Sequence, residues 1–372
     1  MNFKDTLLSV EFVLETDEVP LIVGESGIGK TALAKALSRK KGWSLVIIDG
    51  NLLKEGEIGG LPTVEDYSLI DANGSTVSKR HTVYAVHTKL QEIDSLIMDG
   101  KEVFLFIDEI NRCEHTVQQE LMNLILNREI NGYKLHDKVK ILAAMNPSSK
   151  YGEDFDYQVV DMDAAQENRF VWLYMESNSK AWLTWATENN LEQKVIEFIA
   201  TFPEYLHSTK SDEQIKATPR SFERVSKSYR LYTENKDTIP KRVFLNILKG
   251  NLGNRIAHEF MTFAEEDTKP LISFEEVFEY LELSQEVIEK VKVESHTRLY
   301  LIAQNILSVL SKKEILDSDI KRFVEFLGFY PVDLGLGIMQ DIKENYDSVY
   351  KLCLENEAFV ELYFKAYNEI KG

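Results

Sequence analysis

Cysteine is scarce in this chain. Cys113 and Cys353 are the only two among 372 residues. They lie far apart and form no CxxC pair, which excludes a disulfide framework and a thiolate zinc site and fits a reducing cytosol. The histidines show no HExxH spacing, and the neighbours Cys113 and His115 are too few to make a metal site; both read as ordinary helix residues. Positive charge is also short. Against 61 Asp and Glu stand 43 Lys and Arg, a net charge of -18. A general affinity for DNA or RNA is therefore not expected, although a local basic groove stays open. No apolar run approaches about 18 residues, so no membrane-spanning helix is expected. The opening MNFKDTLLSVEFVLE carries acids where a secretion signal has a basic and then an apolar run, and a cytoplasmic location is the expectation. There is no internal repeat and no low-complexity tract.

What is present is apolar pattern. The chain is 44% hydrophobic, enough to bury a sizeable core, and its length suggests roughly two or three domains. Residues 1–175 alternate short apolar runs with helical spacing, the signature of a parallel sheet covered by helices. The runs are VPLIV (19–23), SLVII (44–48), VFLFI (103–107), VKILAA (139–144) and FVWLYM (170–175). After Glu176 nearly every segment has helical spacing. A polar, proline-bearing break, EEDTKPLIS (265–273), divides that helical part. The expected architecture is an α/β nucleotide-binding core over 1–175, an αβα sandwich on a five-stranded parallel sheet, then a helical lid over 176–265 and a helical C-terminal region over 266–372.

VPLIV runs directly into GESGIGKTALAKALSRK, which fits G-x-x-x-x-G-K-[ST] in full and has a strand before it and an amphipathic helix after it. Glycines let the backbone bend until several N–H groups converge on phosphate oxygens. The following helix points its positive end at the same phosphates. Gly24, Glu25, Ser26, Gly27, Ile28, Gly29, Lys30, Thr31 and Ala32 form the expected cradle for ATP. Lys30 would bridge the outer phosphates, and the Thr31 hydroxyl would coordinate Mg²⁺. The loop also explains VFLFIDEINR, where a buried strand ends in two adjacent carboxylates. In a P-loop domain the strand-end acid, Asp108, reaches Mg²⁺ through water. Glu109 can polarise the water that attacks the γ-phosphate.

Other P-loop classes are excluded by what is missing. NKDT (235–238) has the wrong spacing for a guanine-reading N-K-x-D, no LSGGQ-like signature occurs, and the acidic box reads Asp108-Glu109-Ile110-Asn111 rather than DExD or DExH. Downstream features fit an AAA+ ATPase. VKILAA leads to Met145-Asn146-Pro147, which sets Asn146 beside the acids as a sensor that orients water. AAQENRFVWLYM places Arg169 at a helix end before a strand, where in a ring it would act on the neighbour's nucleotide as an arginine finger. In ATPRSFERV, Thr218 caps a helix with Pro219 at its first position, which aims Arg220 from the lid as a second sensor.

On GESGIGKT, EIGGLP, LFIDEINR, VQQELMNLILNREINGYKL, ILAAMNP, ENRF and ATPRSFERVS, the sequence resembles the MoxR group of AAA+ ATPases across about residues 18–230. The resemblance implies a ring, usually a hexamer, that acts as a chaperone or assembly factor for partner proteins with a von Willebrand factor A domain. It also implies that Arg112 and Arg128 line the subunit interface and that EIGGLPTVEDYS (57–68), which by itself reads as a flexible glycine-bearing loop, faces the central pore. REINGYKLHDKVKILAA reads as a hairpin ahead of the sensor strand. Family members often have Gly where Met145 stands. Two other readings stay open: a nucleic-acid motor, and a nucleotide-gated scaffold without turnover.

Overall fold

The central runs, at 20–23, 103–107 and 141–145, are strands buried on both faces, and a fully buried strand has no reason to alternate; the edge runs at 44–49 and 171–174 are only partly buried. β1 (Pro20–Val23), β2 (Ser44–Asp49), β5 (Val103–Asp108), β8 (Lys140–Met145) and β9 (Val171–Tyr174) make one sheet in the order β2-β5-β8-β1-β9, every pairing parallel. The structure is a computed structural model that describes residues 1–70, 76–148, 160, 162, 164–208, 213–265, 270–279 and 282–371. Within the 265–273 break, residues 266–269 lie outside the described residues. By contact density the chain forms two compact units, Met1–Asn178 and Ser179–Gly372.

In the first unit, successive strand residues serve opposite layers. Phe104, Phe106, Leu142 and Ala144 pack with Val10 and Leu14 of α1 (Phe3–Glu15) and Leu33 and Leu37 of α2 (Lys30–Lys41). Leu105, Ile107, Ile141 and Ala143 pack with Leu90 and Ile93 of α3 (Thr88–Met98) and Val117 and Leu121 of α4 (His115–Met122). The result is the αβα sandwich. The N-terminal segment is a helix, α1, whose N-cap Asn2 accepts from the Asp5 N–H at 2.9 Å. Cys113 lies in the turn before α4 rather than in a helix, and His115 is that helix's first residue.

Two hairpins decorate the sandwich. β6 (Glu129–Ile130) and β7 (Tyr133–Lys134) form the short one expected ahead of the sensor strand. β3 (Pro62–Ile70) and β4 (Thr76–Tyr84) form a nine-residue antiparallel ribbon in a region read from sequence as a flexible loop. Its base is pinned. Ile58, Gly59 and Gly60 are buried, and the Asn131 Nδ2–H donates to Gly59 O at 2.9 Å. Gly60 holds φ at 85°, and a Cβ there would lie 2.0 Å from the Ala85 carbonyl oxygen, so only glycine fits.

The second unit is helical and holds two apolar clusters. One gathers Trp182, Phe198, Phe222, Phe244 and Phe260 from α6 (Ser179–Glu188), α7 (Gln193–Thr201), α8 (Pro219–Glu234), α9 (Lys241–Leu252) and α10 (Asn254–Glu265). The other gathers Val277, Val291, Phe323, Ile338 and Val349 from α11 (Phe274–Phe278), α12 (Gln285–Val293), α13 (His296–Leu310), α14 (Asp317–Leu327), α15 (Val332–Asn345), α16 (Asp347–Glu355) and α17 (Glu357–Lys371). α13 serves both: Leu301 belongs to the first cluster, Leu299 and Ile302 to the second. Among the described residues no helix is long and apolar enough to cross a membrane.

Candidate active site

Three neighbouring strands, β5, β8 and β1, deliver their C-terminal ends to one edge of the sheet. β1 stops at Val23, and the chain turns through Gly24–Gly29 before α2 begins at Lys30. Gly27 and Gly29 hold φ of 82° and 109°, a left-handed winding that glycine accepts without strain. The backbone N–H groups of Gly27, Ile28 and Gly29 make no hydrogen bond among the described residues. The N-terminus of α2 adds the positive end of its dipole beside them.

The side chains converge on the same edge. Lys30 is 7% exposed. Its Nζ donates to Gly24 O at 2.5 Å, Glu25 O at 3.1 Å and Asn146 Oδ1 at 2.8 Å. Asn146, just past β8, is fully buried, and its Nδ2 has no partner among the described residues. A buried donor left in that state costs about 1–3 kcal/mol. The Thr31 hydroxyl donates to Asp108 Oδ2 at 2.7 Å, and Asp108 Oδ1 accepts from the Glu109 N–H at 3.0 Å. Glu109 adopts φ of 51°, a conformation that costs a non-glycine residue roughly 1–2 kcal/mol. Its carboxylate lies 3.3 Å from the Arg112 Nη1.

A polyphosphate fits this donor set. Unpaired backbone N–H groups and the unpartnered carboxamide donor of Asn146 lie at one edge beside the buried Lys30 ammonium, and the two unpaired sets lack what an anion supplies. The acidic side suits Mg²⁺, which takes one or two protein oxygens and keeps water or phosphate on its other positions; the Thr31 hydroxyl would supply one, and Asp108 would reach the ion through water. Among the described residues, no group of three or more His, Cys, Asp or Glu is arranged to hold a metal, so no metal cage built from those residues competes with that arrangement.

The structure thus brings together Lys30, Thr31, Asp108, Glu109 and Asn146. Arg169 is elsewhere: it precedes β9 at the N-terminal end of that strand, where Val171 is in register with Pro20. The loop follows the opposite end of β1. Arg169 is exposed, its side chain makes no hydrogen bond or ion pair among the described residues, and it lines an open pocket with Gln119, Met122, Asn123, Leu126, Asn127 and Gln166. Arg220 stands in the second unit, exposed on the first turn of α8, where Thr218 Oγ1 accepts from the Ser221 N–H at 3.3 Å. Arg112 is held by Glu109. Arg128 donates to His136 O at 2.7 Å and Val139 O at 2.8 Å, tying down the segment after the short hairpin.

Two residues join the site without a motif to announce them. Asp49 ends β2 in register with Asp108. Burial, with the charges of Glu109 and Asp108 adding to it, pushes its carboxyl above the ordinary range, against the hydrogen bond from Asn51 N–H. A second strand ending in Asp, parallel to VFLFID, is the signal that could have found it. The other is Asn111, which bonds to the backbone of Asn146.

Residues 20–170 match the family described as AAA domain (dynein-related subfamily), so this stretch carries an AAA+ domain. No curated protein matches the chain. Among solved structures, the chain is similar to the Holliday junction branch migration motor RuvB of Thermotoga maritima, at 16% identity over 78% of this chain and 75% of that one, with a TM-score of 0.36. It is also similar to NtrX of Brucella abortus in complex with ADP, at 12% identity over 92% of this chain and 67% of that one, with a TM-score of 0.41.

Proposed function

We propose that the chain is an ATP-hydrolysing AAA+ protein of MoxR type that works as a ring and uses turnover to assemble or activate a partner protein with a von Willebrand factor A domain. One observation carries the hydrolytic part: Lys30, Thr31, Asp108, Glu109 and Asn146 meet at one sheet edge, with the buried Lys30 touching the sensor amide. Lys30 and the loop N–H groups hold the phosphates. Mg²⁺, held by Thr31 and by Asp108 through water, would neutralise phosphate charge. Glu109 accepts the proton of the attacking water, and the free Nδ2 donor of Asn146 orients that water or the terminal phosphate.

The ring part is supported by Arg169. Its exposed guanidinium lies across the sheet from its own loop, so the chemistry open to it is on another protomer's nucleotide. Arg220 would reach phosphate from the lid (residues 176–265). The choice of partner rests on the sequence motifs from GESGIGKT to ATPRSFERVS, and the acidic net charge disfavours a nucleic-acid client.

Phosphate release from the purified chain with ATP and Mg²⁺ tests the core of this reading. Glu109→Gln should keep ATP binding and lose turnover, because an amide cannot accept the proton. ATP that is bound but never turned over, with or without a partner, ends the reading. Glu109→Gln, arrested with ATP, is also the bait for recovering a partner from native extract; a partner without a von Willebrand-type domain removes the MoxR assignment and leaves the ATPase.

A further inference from the structure

β8 ends at Met145, and the last register pair along its edge with β1 is Val23 with Met145. Asn146 follows, fully buried, with Pro147 after it. Its peptide N–H and C=O therefore have no strand to pair with, and buried backbone groups need partners. Both find one in a single side chain. Asn111 Nδ2 donates to Asn146 O at 2.8 Å, and Asn111 Oδ1 accepts from the Asn146 N–H at 3.2 Å. Asn111 is 2% exposed. It is fixed in turn: its carbonyl accepts from the Val160 N–H at 2.8 Å, and the preceding Ile110 N–H donates to Ala144 O at 3.1 Å.

We infer that Asn111 is a positioning residue that grips the backbone of Asn146 and thereby sets the sensor amide for turnover. This role rests on the ATPase reading above. The chemistry selects a carboxamide. It alone offers a donor and an acceptor side by side at this length; Asp lacks the donor, and Gln is one methylene too long. With the backbone of Asn146 held on both polar groups, its own amide keeps Oδ1 on Lys30 and leaves Nδ2 for the γ-phosphate or its water. A residue that merely filled the core would hold no such direction.

Asn111→Asp separates the two roles. It keeps the size and the acceptor and loses the donor, while a protonated carboxyl restores a donor through its O–H. Burial disfavours the carboxylate, so protonation falls within reach of ordinary buffers. Near pH ~8 the variant's kcat should fall about tenfold or more below wild type, with ADP affinity changed by no more than about twofold. Between about pH 8 and about pH 6 the ratio of variant to wild-type kcat should climb severalfold. Asn111→Ala, with nothing to protonate, should show the deficit at both ends. The affinity of a non-hydrolysable ATP analogue relative to ADP should follow the same pattern, because Asn146 touches only the terminal phosphate.

The outcomes are separable. Wild type that releases no phosphate sinks the ATPase reading, and the analogue-to-ADP ratio then decides the role of Asn111. Where wild type is active, any of three results overturns the inference: an unchanged kcat, a deficit in Asn111→Asp that acid does not relieve, or a loss of ADP binding in step with kcat.

Discussion

Lys30 shows how much one side chain holds at this site. Its ammonium is buried on two loop carbonyls and the Asn146 amide, so it links the loop after β1 to the residue after β8. Lys30→Ala should remove the gain from nucleotide. Wild type at about 100 times Kd of a Mg²⁺–ATP analogue gains about 2.7 kcal/mol; the variant's melting temperature should not move with the analogue. The two cysteines make the opposite case. Burial pushes the Cys113 thiol up to about 11 and the Cys353 thiol up to about 12. Neither is a thiolate near neutral pH, so native protein should resist iodoacetamide and react at both positions only when unfolded, as read by mass spectrometry. Lys30, Thr31 and Asp108 were legible because their spacing encodes a local loop and a strand end. Asn111 was not. Its partner is 35 residues away, and no local pattern records which buried peptide groups will lack a strand.

At the scale of elements, legibility followed burial. The central strands β1, β5 and β8 are continuous apolar runs because helices cover both faces of the sheet there. The ribbon β3–β4 reads PTVEDYSLI and TVSKRHTVY, and nearly all of it is exposed. No face of it is buried, so no apolar period marked it. In the second unit the helices were plain from their spacing, but what joins them was not. Arg298 on α13 bonds Glu197 on α7 at 3.1 Å and Glu294 at 2.8 Å, with little exposure on either side. Burial raises the Glu197 carboxyl above its ordinary range, and Arg298 opposes that. A carboxyl raised in the folded state keeps a proton that the unfolded chain has lost, so stability falls as pH rises through that window. Arg298→Ala removes the opposing charge and deepens the effect. Its loss of stability should be about 2–4 kcal/mol near pH ~8 and smaller near pH ~5, measured by urea unfolding.

At the scale of the whole molecule, the proposed role of Arg169 bears on how many chains one active site needs. Strand β1 spans Pro20–Val23, roughly 13 Å at 3.3 Å per residue, and Arg169 lies before one end of the sheet while the loop follows the other. On the proposed reading a working finger comes from a second copy, and head-to-tail contacts form a ring where the rotation between copies closes. Arg169→Ala alone should lose about 10³–10⁵ in turnover while still binding ATP. Glu109→Gln alone should be equally silent, yet it keeps an intact Arg169. Random co-assembly of the two in equal amounts pairs an intact Glu109 with an intact neighbouring Arg169 at about one interface in four, since the contact is directional. Turnover should therefore return to about a quarter of the wild-type rate, and light scattering should show the mixed species at ring mass. Full silence at every mixing ratio, with mixed rings present, would mean that Arg169 does not act across the interface.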